Sequence, residues 1–282
     1  QPINQSTNQS INQSKSLIMK KQIILSFIMV FVVVLSTSCD KDDDNDNGSS
    51  SLTPSQDQWG MAINYTATWC GPCGDWGAPL INDLNAEGKT VAITAHAGGD
   101  PMTNDLYGSL LADRTNGGGV PSFWVGDLKV SNSNAISELQ NLKSQNAVAG
   151  LAIDGKIGSS TAEVDVAVEF FEAGSGDYFL SVFILEDGID GSSSAGQYKQ
   201  NGTSNSYPND DYRHNYVLRA SSVADQAYGE LIVTDPSNGE TVNKSYEIAL
   251  DGQWTNDLYP VAILWRYESG AAPQYHFINA IK

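Results

Sequence analysis

The stretch ATWCGPCG, residues 67–74, holds two of the three cysteines in the chain, separated by a Gly-Pro dipeptide. It overlaps the end of a run rich in β-forming residues, 61–69, and it precedes GDWGAPLINDLNAEG, in which leucine and isoleucine recur at helical spacing. The pattern predicts a strand that leads into a helix, with Cys70 and Cys73 at the junction. A cysteine pair in this place can be a working redox centre, a metal clip, or a remnant on a scaffold that serves another purpose.

The neighbouring sequence predicts one α/β unit, which we place at residues 57–146. A second buried strand is predicted at 90–96, a helix with a good N-cap at 103–114, a loop and a strand pair joined by a Gly-Asp turn at 117–130, and an amphipathic helix at 133–145. The order β-α-β-α-β-β-α combines crossover connections with a terminal hairpin. It therefore predicts a sheet that is covered on both faces.

Two landmarks of this unit resemble the thioredoxin family. The motif WCGPC, residues 69–73, matches the active-site motif of that family residue for residue, and Val120-Pro121 before an apolar strand resembles its cis-proline loop. The resemblance implies a thioredoxin-like fold in which the cysteines are catalytic and their neighbours bind substrate. The catalytic residues are then Cys70 and Cys73, and the substrate-binding residues are Trp69, Gly71, Pro72, Val120 and Pro121.

The chemistry of the pair follows from its place at the start of a helix. Unsatisfied amides and the helix dipole stabilise a thiolate on Cys70, whereas Cys73 lies one turn further along and is more buried. Cys70 would attack a substrate disulfide, and Cys73 would then resolve the mixed disulfide. Gly71 would let a substrate chain approach, and Pro121 would present the backbone of Val120 to it.

One position departs from the thioredoxin pattern. Counted from the first cysteine, the residue that is a buried acid in thioredoxins is Asn64 here, and an asparagine cannot take a proton from Cys73. Turnover is therefore expected to be slower, or to use water or another group. His96, at the end of a predicted strand, is a candidate for that group, and the alternative is a purely structural or exposed histidine.

Beyond residue 146 the hydrophobic period changes from helical to alternating, as in AEVDVAVEF from Ala162. Further β-runs separated by Gly, Asp, Asn and Pro predict an all-β antiparallel sandwich, Ig-like, at 147–282. The polar segment 186–212 is predicted to be either a binding loop or a mobile one. His214 and Arg219, in a predicted strand, are either ligand contacts or a buried polar pair.

The N-terminal residues resemble a targeting address. Residues 1–18 repeat a polar NQS pattern and are interpreted as a non-native upstream segment, and 19–38 have the basic start and apolar run of a lipoprotein signal peptide. The apolar run is too short for a membrane span, which needs roughly 20 residues. Cys39 is the predicted lipidation site, and 39–56 form a flexible acidic tether similar to an outer-membrane export signal.

Composition excludes several classes of function. The formal charge is −18, with 15 Lys and Arg against 33 Asp and Glu, so nothing offsets the charge of a nucleic acid. Three cysteines and three histidines do not form a zinc pattern, and the acidic run after Cys39 does not fit a calcium loop. We therefore expect no metal site, no cofactor and no nucleic-acid partner.

Taken together, the lipidated signal, the cysteine pair, HAGGDPM from His96, GVPSFWV, HNYVLRA and LDGQW resemble the outer membrane protein 28-related lipoproteins. That resemblance implies a thioredoxin-like domain followed by a β domain, lipid-anchored at the outer membrane and facing the periplasm or the cell surface.

The resulting hypothesis is a thiol-disulfide oxidoreductase that acts on extracytoplasmic protein thiols or disulfides. The alternatives are a surface adhesin that uses the first domain as a platform, a stable disulfide that braces the junction, and a metal-delivery protein.

Overall fold

In the computed structural model, residues 52–115, 117–202 and 210–282 are described, and all of them belong to one compact unit. The interpretations of residues 1–51, which include the signal peptide, the lipidation of Cys39 and most of the tether, lie outside these described residues. None of the helices in the described ranges has the length and apolar character that a membrane crossing needs.

The half of the chain around the cysteines has its elements in the predicted order. Its strands and helices are β1 (Gly60–Thr66), α1 (Ala78–Ala86), β2 (Thr90–His96), α2 (Asp105–Ala112), β3 (Ser122–Val125), β4 (Leu128–Val130) and α3 (Ala135–Lys143). A π-helical turn, Cys73–Gly77, leads directly into α1. β1 pairs in parallel with β2 and antiparallel with β3, and β1 and β2 are buried along their whole length. This explains why both strands are rich in apolar residues.

The remaining strands follow α3 without a further α-helix in the described residues. They are β5 (Ala149–Ile157), β6 (Thr161–Phe170), β7 (Asp177–Asp187), β8 (Ile189–Asp190), β9 (Arg213–His214), β10 (Val217–Ser221), β11 (Glu230–Thr234), β12 (Thr241–Ala249), β13 (Asp257–Tyr267) and β14 (Tyr275–Ile281). The described chain is therefore mostly β-sheet, with few helices.

One mixed sheet connects the two halves, in the order β14-β13-β7-β10-β2-β1-β3-β4, with β11 also paired to β7. The connection is the parallel pair β10 and β2, which meet at Val217 and Thr94. Thr94 strengthens it by donating its amide to the carbonyl of Tyr216 (2.7 Å) and its hydroxyl to the carbonyl of Asn215 (3.0 Å). The residues on the two sides of the proposed domain boundary at 146/147 thus contribute strands to the same sheet. The domain boundaries stay a prediction.

Two of the hydrophobic cores that hold this sheet in place involve the β-rich half. In one core, β5, β6 and β12, which form a separate three-stranded sheet, pack against β7 and β13, for example through Val166 and Leu264. In the other, side chains of β1, β2 and α2 pack with those of β7, β13 and β14, including Ile93 and Trp265. Each fully buried side chain of this size contributes about 1.5–3 kcal/mol, so the second core fixes the cysteine-bearing half against the rest.

The strand predicted across 212–220 is interrupted. Tyr216 adopts a left-handed φ of 60°, a conformation that bulky residues rarely take, and this separates β9 from β10. His214 and Arg219 do not pair with each other: Arg219 Nε donates to buried Glu186 Oε2 (2.6 Å), and His214 bonds elsewhere. The buried-pair interpretation of these two residues is therefore wrong, although both are largely buried.

Candidate functional site around the cysteine pair

Cys70 and Cys73 form a disulfide at the beginning of a helical run that starts at Gly71. The amide of Cys73 donates to Cys70 Sγ (3.2 Å), and the amide of Gly74 donates to the Cys70 carbonyl (3.4 Å). Cys70 is 6% exposed and Cys73 1%. Cys70 thus occupies the N-cap of the helical run, where free amides and the helix dipole stabilise negative charge on its sulfur.

The loop before β3 brings a second segment to the sulfur. The Val120 carbonyl oxygen lies 3.5 Å from Cys70 Sγ, although the two residues are 50 positions apart in sequence. The Val120–Pro121 peptide bond is cis. A Cβ added to Gly77 would lie 3.2 Å from Pro121 Cβ, so the absence of a side chain at Gly77 lets this loop approach the helix closely.

The residues predicted to bind substrate surround this disulfide. Trp69 is 51% exposed and Pro72 is exposed, whereas Gly71, Val120 and Pro121 are half-buried. The structure therefore brings all five together with the cysteines at one partly open rim. Their role in binding stays a prediction.

Beneath the helical run lies the position that departs from the thioredoxin pattern. Asn64 is buried, and its Oδ1 atom has no hydrogen-bond partner among the described residues. It lines a cavity of about 10 Å³ together with Thr66, Thr94, His96 and His214. That volume suits about one water, and the polar lining supplies the partners a buried water requires.

His96 extends from the end of β2 into this polar region. It is 3% exposed, and its Nδ1 atom lies 3.1 Å from Asp100 Oδ1. Asp100 also accepts the amides of Thr68 (2.5 Å) and Met102 (2.8 Å). Burial alone would raise the pKa of Asp100, but His96 and these amides outweigh it and lower the pKa to about 2. Asp100 thus holds the residues that lead into the cysteine motif through the Thr68 amide, and it lies within ion-pair distance of His96.

A second buried histidine faces the first. The rings of His96 and His214 meet edge to face with centroids 5.6 Å apart, and His214 Nε2 lies 2.7 Å from the Tyr198 carbonyl. Burial, followed by the charge of His96, lowers the pKa of His214 to about 4. His214 is therefore neutral at neutral pH, and its Nε2–H donates to the Tyr198 carbonyl.

We call residues 191–201 the strap. They lie within the polar segment that was predicted to be a loop, and they contact the cysteine motif. The Gln200 side-chain amide is buried and lies within hydrogen-bond distance of three motif carbonyls, those of Ala67 (3.1 Å), Thr68 (3.2 Å) and Cys70 (3.0 Å). The next residue, Asn201, donates its amide to the Thr68 carbonyl (2.7 Å). The described part of the loop is therefore a structural neighbour of the cysteine pair.

Sequence reasoning did not identify Gln200 or Asp100. Gln200 lies in a polar stretch with no periodicity, so no local signal marks it. Asp100 follows His96 by four residues in HAGGDPM, and this short spacing between a histidine and a carboxylate was the signal that could have identified it. Among residues 52–115, 117–202 and 210–282, no group of three or more His, Cys, Asp and Glu side chains could hold a metal ion.

Comparison with solved structures shows a fold shared with HBP35 of Porphyromonas gingivalis. The match has 17% sequence identity and a TM-score of 0.63, and it covers 81% of this chain and 76% of that one. A domain of the outer membrane lipoprotein Omp28 from the same organism matches at 12% identity over 47% of this chain and 88% of that one, with a TM-score of 0.27. No curated protein gives a significant match.

The family comparison covers more than half of the sequence. The family model described as outer membrane protein Omp28 matches residues 117–272. The matched region begins just before Val120 and therefore includes the cis-proline loop and most of the β-rich half, but not the cysteine motif. The chain belongs to the Omp28 family of outer membrane proteins.

Proposed function

We propose that this protein is a thiol-disulfide oxidoreductase at the outer membrane, with Cys70 as the attacking sulfur and Cys73 as the resolving one. The single observation that carries the proposal is the convergence on Cys70 Sγ of two separate groups, the Cys73 amide at 3.2 Å and the Val120 carbonyl at 3.5 Å. The first stabilises a thiolate, and the second supplies backbone for an incoming chain beside the reacting sulfur.

The disulfide of the structure is the oxidised end of the proposed cycle. In the reduced protein, the Cys70 thiolate attacks a substrate disulfide, which forms a mixed disulfide and releases one substrate thiolate. Cys73 then loses its proton and attacks Cys70 Sγ, which releases the second substrate thiolate and forms the Cys70–Cys73 bond. Each turnover consumes two electrons, so a dithiol donor must restore the reduced pair. The reverse sequence oxidises a substrate dithiol, with the same atoms exchanged.

The proton of Cys73 needs a local acceptor because Asn64 cannot ionise. His96 is the candidate acceptor, because it lines the water-sized cavity together with Asn64 and its Nδ1 lies 3.1 Å from the Asp100 carboxylate. Proton transfer through water to a nearby histidine is ordinary general base catalysis. In this proposal His96 takes up the proton and Asp100 acts as its positioning residue.

The fold and the family add support to the assignment. The first seven elements follow the order β-α-β-α-β-β-α that the sequence predicts, and the β-rich remainder packs against them. Family membership indicates outer-membrane association. We extend this to a lipid anchor on Cys39 and to partners that are extracytoplasmic protein thiols or disulfides.

The test is a trapping experiment with matched cysteine variants. In a protein whose Cys39 is replaced by serine, Cys73→Ser should form a stable mixed disulfide with a peptide disulfide, because Cys70 attacks and nothing resolves the product. Cys70→Ser should trap far less, because the remaining thiol is the buried one. Equal trapping by the two variants, or trapping by neither, would contradict the assigned roles.

The adhesin alternative is tested by an experiment that leaves the loop intact. Deletion of residues 186–212 would not distinguish a binding loop from a redox site. Gln200 of this segment bonds to the cysteine motif, so the deletion would disturb both. The double variant Cys70→Ser, Cys73→Ser leaves that loop intact. An adhesin should keep its cell-surface binding in this variant, whereas the oxidoreductase should lose all exchange activity.

A further inference from the structure

The strap is fixed at several points along its length. The Gly191 amide donates to the Tyr212 carbonyl (3.1 Å), and the Gln200 amide donates to the Gly191 carbonyl (3.0 Å), which closes the segment into a compact loop. Between these points, the neutral His214 ring donates to the Tyr198 carbonyl (2.7 Å). The strap therefore reaches the cysteine motif as a preformed unit.

The side chain of Gln200 acts as the latch between this unit and the motif. It is 2% exposed, and its amide nitrogen lies among carbonyl oxygens of Ala67, Thr68 and Cys70. The carbonyls of Ala67 and Cys70 also accept backbone amides of the motif itself, so the Gln200 amide is their additional donor. In the closed position its own buried N–H groups are satisfied by these carbonyls, which favours closure. Asn201 adds one amide bond to Thr68 and one exposed side-chain contact to Trp69, whereas the other end of the strap is held by the bond from His214 to Tyr198.

The closed strap narrows the approach to Cys70. Asn201 presses against the helical run so tightly that a Cβ at Gly74 would collide with its carbonyl. Val120 lies against the same sulfur from a different segment. Cys70 packs with Ala67, Ala97, Tyr107 and Val120 and is 6% exposed, whereas the adjacent Trp69 is 51% exposed. We expect the remaining opening at Cys70 to admit a small thiol or an extended chain but not the surface of a folded protein.

From this geometry, and resting on the proposed function, we propose that the strap is a specificity determinant and Gln200 its latch. With the strap closed, the pair exchanges with small thiols and with cysteines on extended, unfolded segments. Cysteines on the surface of a folded protein are excluded, because rates of thiol-disulfide exchange depend on access to the sulfur. The substrate class is thus extended chain, and opening the strap should remove the discrimination.

The experiment compares two reductants of different size on the oxidised protein, with Cys39 replaced by serine in every variant. The small reductant is tris(2-carboxyethyl)phosphine, and the bulky one is a folded protein with a surface dithiol, for which reduced thioredoxin serves as the probe. Gln200→Ala and Gln200→Glu remove the latch in two ways, the second by placing a carboxylate against carbonyl oxygens. Gln197→Ala is the matched control, because Gln197 is exposed on the same strap.

We expect both Gln200 variants to be reduced by the protein dithiol about tenfold faster than the wild type, the factor by which losing one buried hydrogen-bonding group shifts an opening equilibrium. Reduction by the phosphine should change much less, and Gln197→Ala should match the wild type. Thermal unfolding of the oxidised proteins identifies a variant that fails to fold, and the other Gln200 variant then decides.

An unchanged ratio of the two rates in the Gln200 variants would overturn the proposal, and so would resistance to both reductants in every variant. The test follows reduction of the Cys70–Cys73 bond alone. Loss of size selectivity in the Gln200 variants together with failure of the Cys73→Ser trap would therefore support the strap and reject the oxidoreductase function.

Discussion

Acidification should destabilise this protein through one buried histidine. His214 is 3% exposed, and burial lowers its pKa from about 6.5 to about 4. The unfolded chain takes up a proton as the pH falls through 6.5, but the folded protein does not do so until the pH nears 4. Because the unfolded state binds more protons in this window, the free energy of unfolding falls as the pH falls from about 6.5 to about 4.

The size of the effect follows from the shift. One pKa unit corresponds to about 1.4 kcal/mol, so about 2 to 3 kcal/mol of stability should be lost between roughly pH 7 and pH 4.5. His96 and Asp100 face His214 and are unchanged by a substitution at that position. The variant His214→Gln keeps an N–H that can donate to the Tyr198 carbonyl and cannot titrate in this range.

The assay is urea unfolding followed by tryptophan fluorescence at a series of pH values, with the disulfide intact. As the pH is lowered, the free energy of unfolding of the wild type should fall by about 2 to 3 kcal/mol relative to that of His214→Gln. Titrating groups remote from His214 contribute equally to both proteins and cancel. Parallel pH profiles for the two proteins would refute the assignment of His214 as a buried, neutral histidine.

Three further substitutions test separate contacts. Gly74→Ala should force the strap away from the helical run, because the added Cβ would collide with Asn201. The free energy of unfolding in urea should fall by about 1–3 kcal/mol. An unchanged stability would mean that the strap can move away from Gly74 without cost. Asp100→Asn removes the carboxylate that holds the Thr68 amide and His96, and it should cost about 1–3 kcal/mol and slow resolution of the mixed disulfide in stopped-flow exchange. Wild-type rates and stability would rule out its positioning role. Ser181→Ala leaves the buried indole N–H of β13 without its acceptor, so the thermal midpoint should fall by an amount equivalent to about 1–3 kcal/mol, and no shift would argue against that bond.

The order of the first seven elements could be predicted because its signals are local. Strand Thr90–His96 coincides with its predicted bounds, and the helices at 105–112 and 135–143 lie within theirs. The apolar period, the good N-cap of the helix predicted from 103 and the Gly-Asp turn are each visible within a few residues of sequence, and the structure places that N-cap at Asn104. The position of the cysteine motif at a strand–helix junction follows from the same signals.

The sheet that joins the two halves could not be predicted in this way. Its link is one residue pair, Val217 with Thr94, separated by more than a hundred residues, and no pattern in either strand specifies the partner. β5 was also missed, because Gly150, Gly155 and charged residues interrupt its alternation. The structure explains Gly155, since a Cβ there would collide with Pro260 of β13.

The candidate site shows the same division. The cysteines and Val120 carry a motif that a reader of the sequence can find, since their residue types are required by the chemistry. Gln200 matters only because of its position in the fold, where its amide lies among the carbonyls of a loop 130 residues away. A glutamine in a polar stretch of sequence does not predict such a contact. Contacts made by the side chains of an irregular loop become visible only in three dimensions.

The reduction potential of the Cys70–Cys73 pair tests the central claim most directly. The purified protein, with Cys39 replaced by serine, is equilibrated with dithiol and disulfide buffers of stepped ratio, and the free thiols are then alkylated and counted by mass. We predict a single two-electron transition well below about −200 mV, as the Gly-Pro dipeptide between the cysteines indicates. A pair that stays oxidised at every ratio in the folded protein would show a structural brace and would contradict the oxidoreductase account.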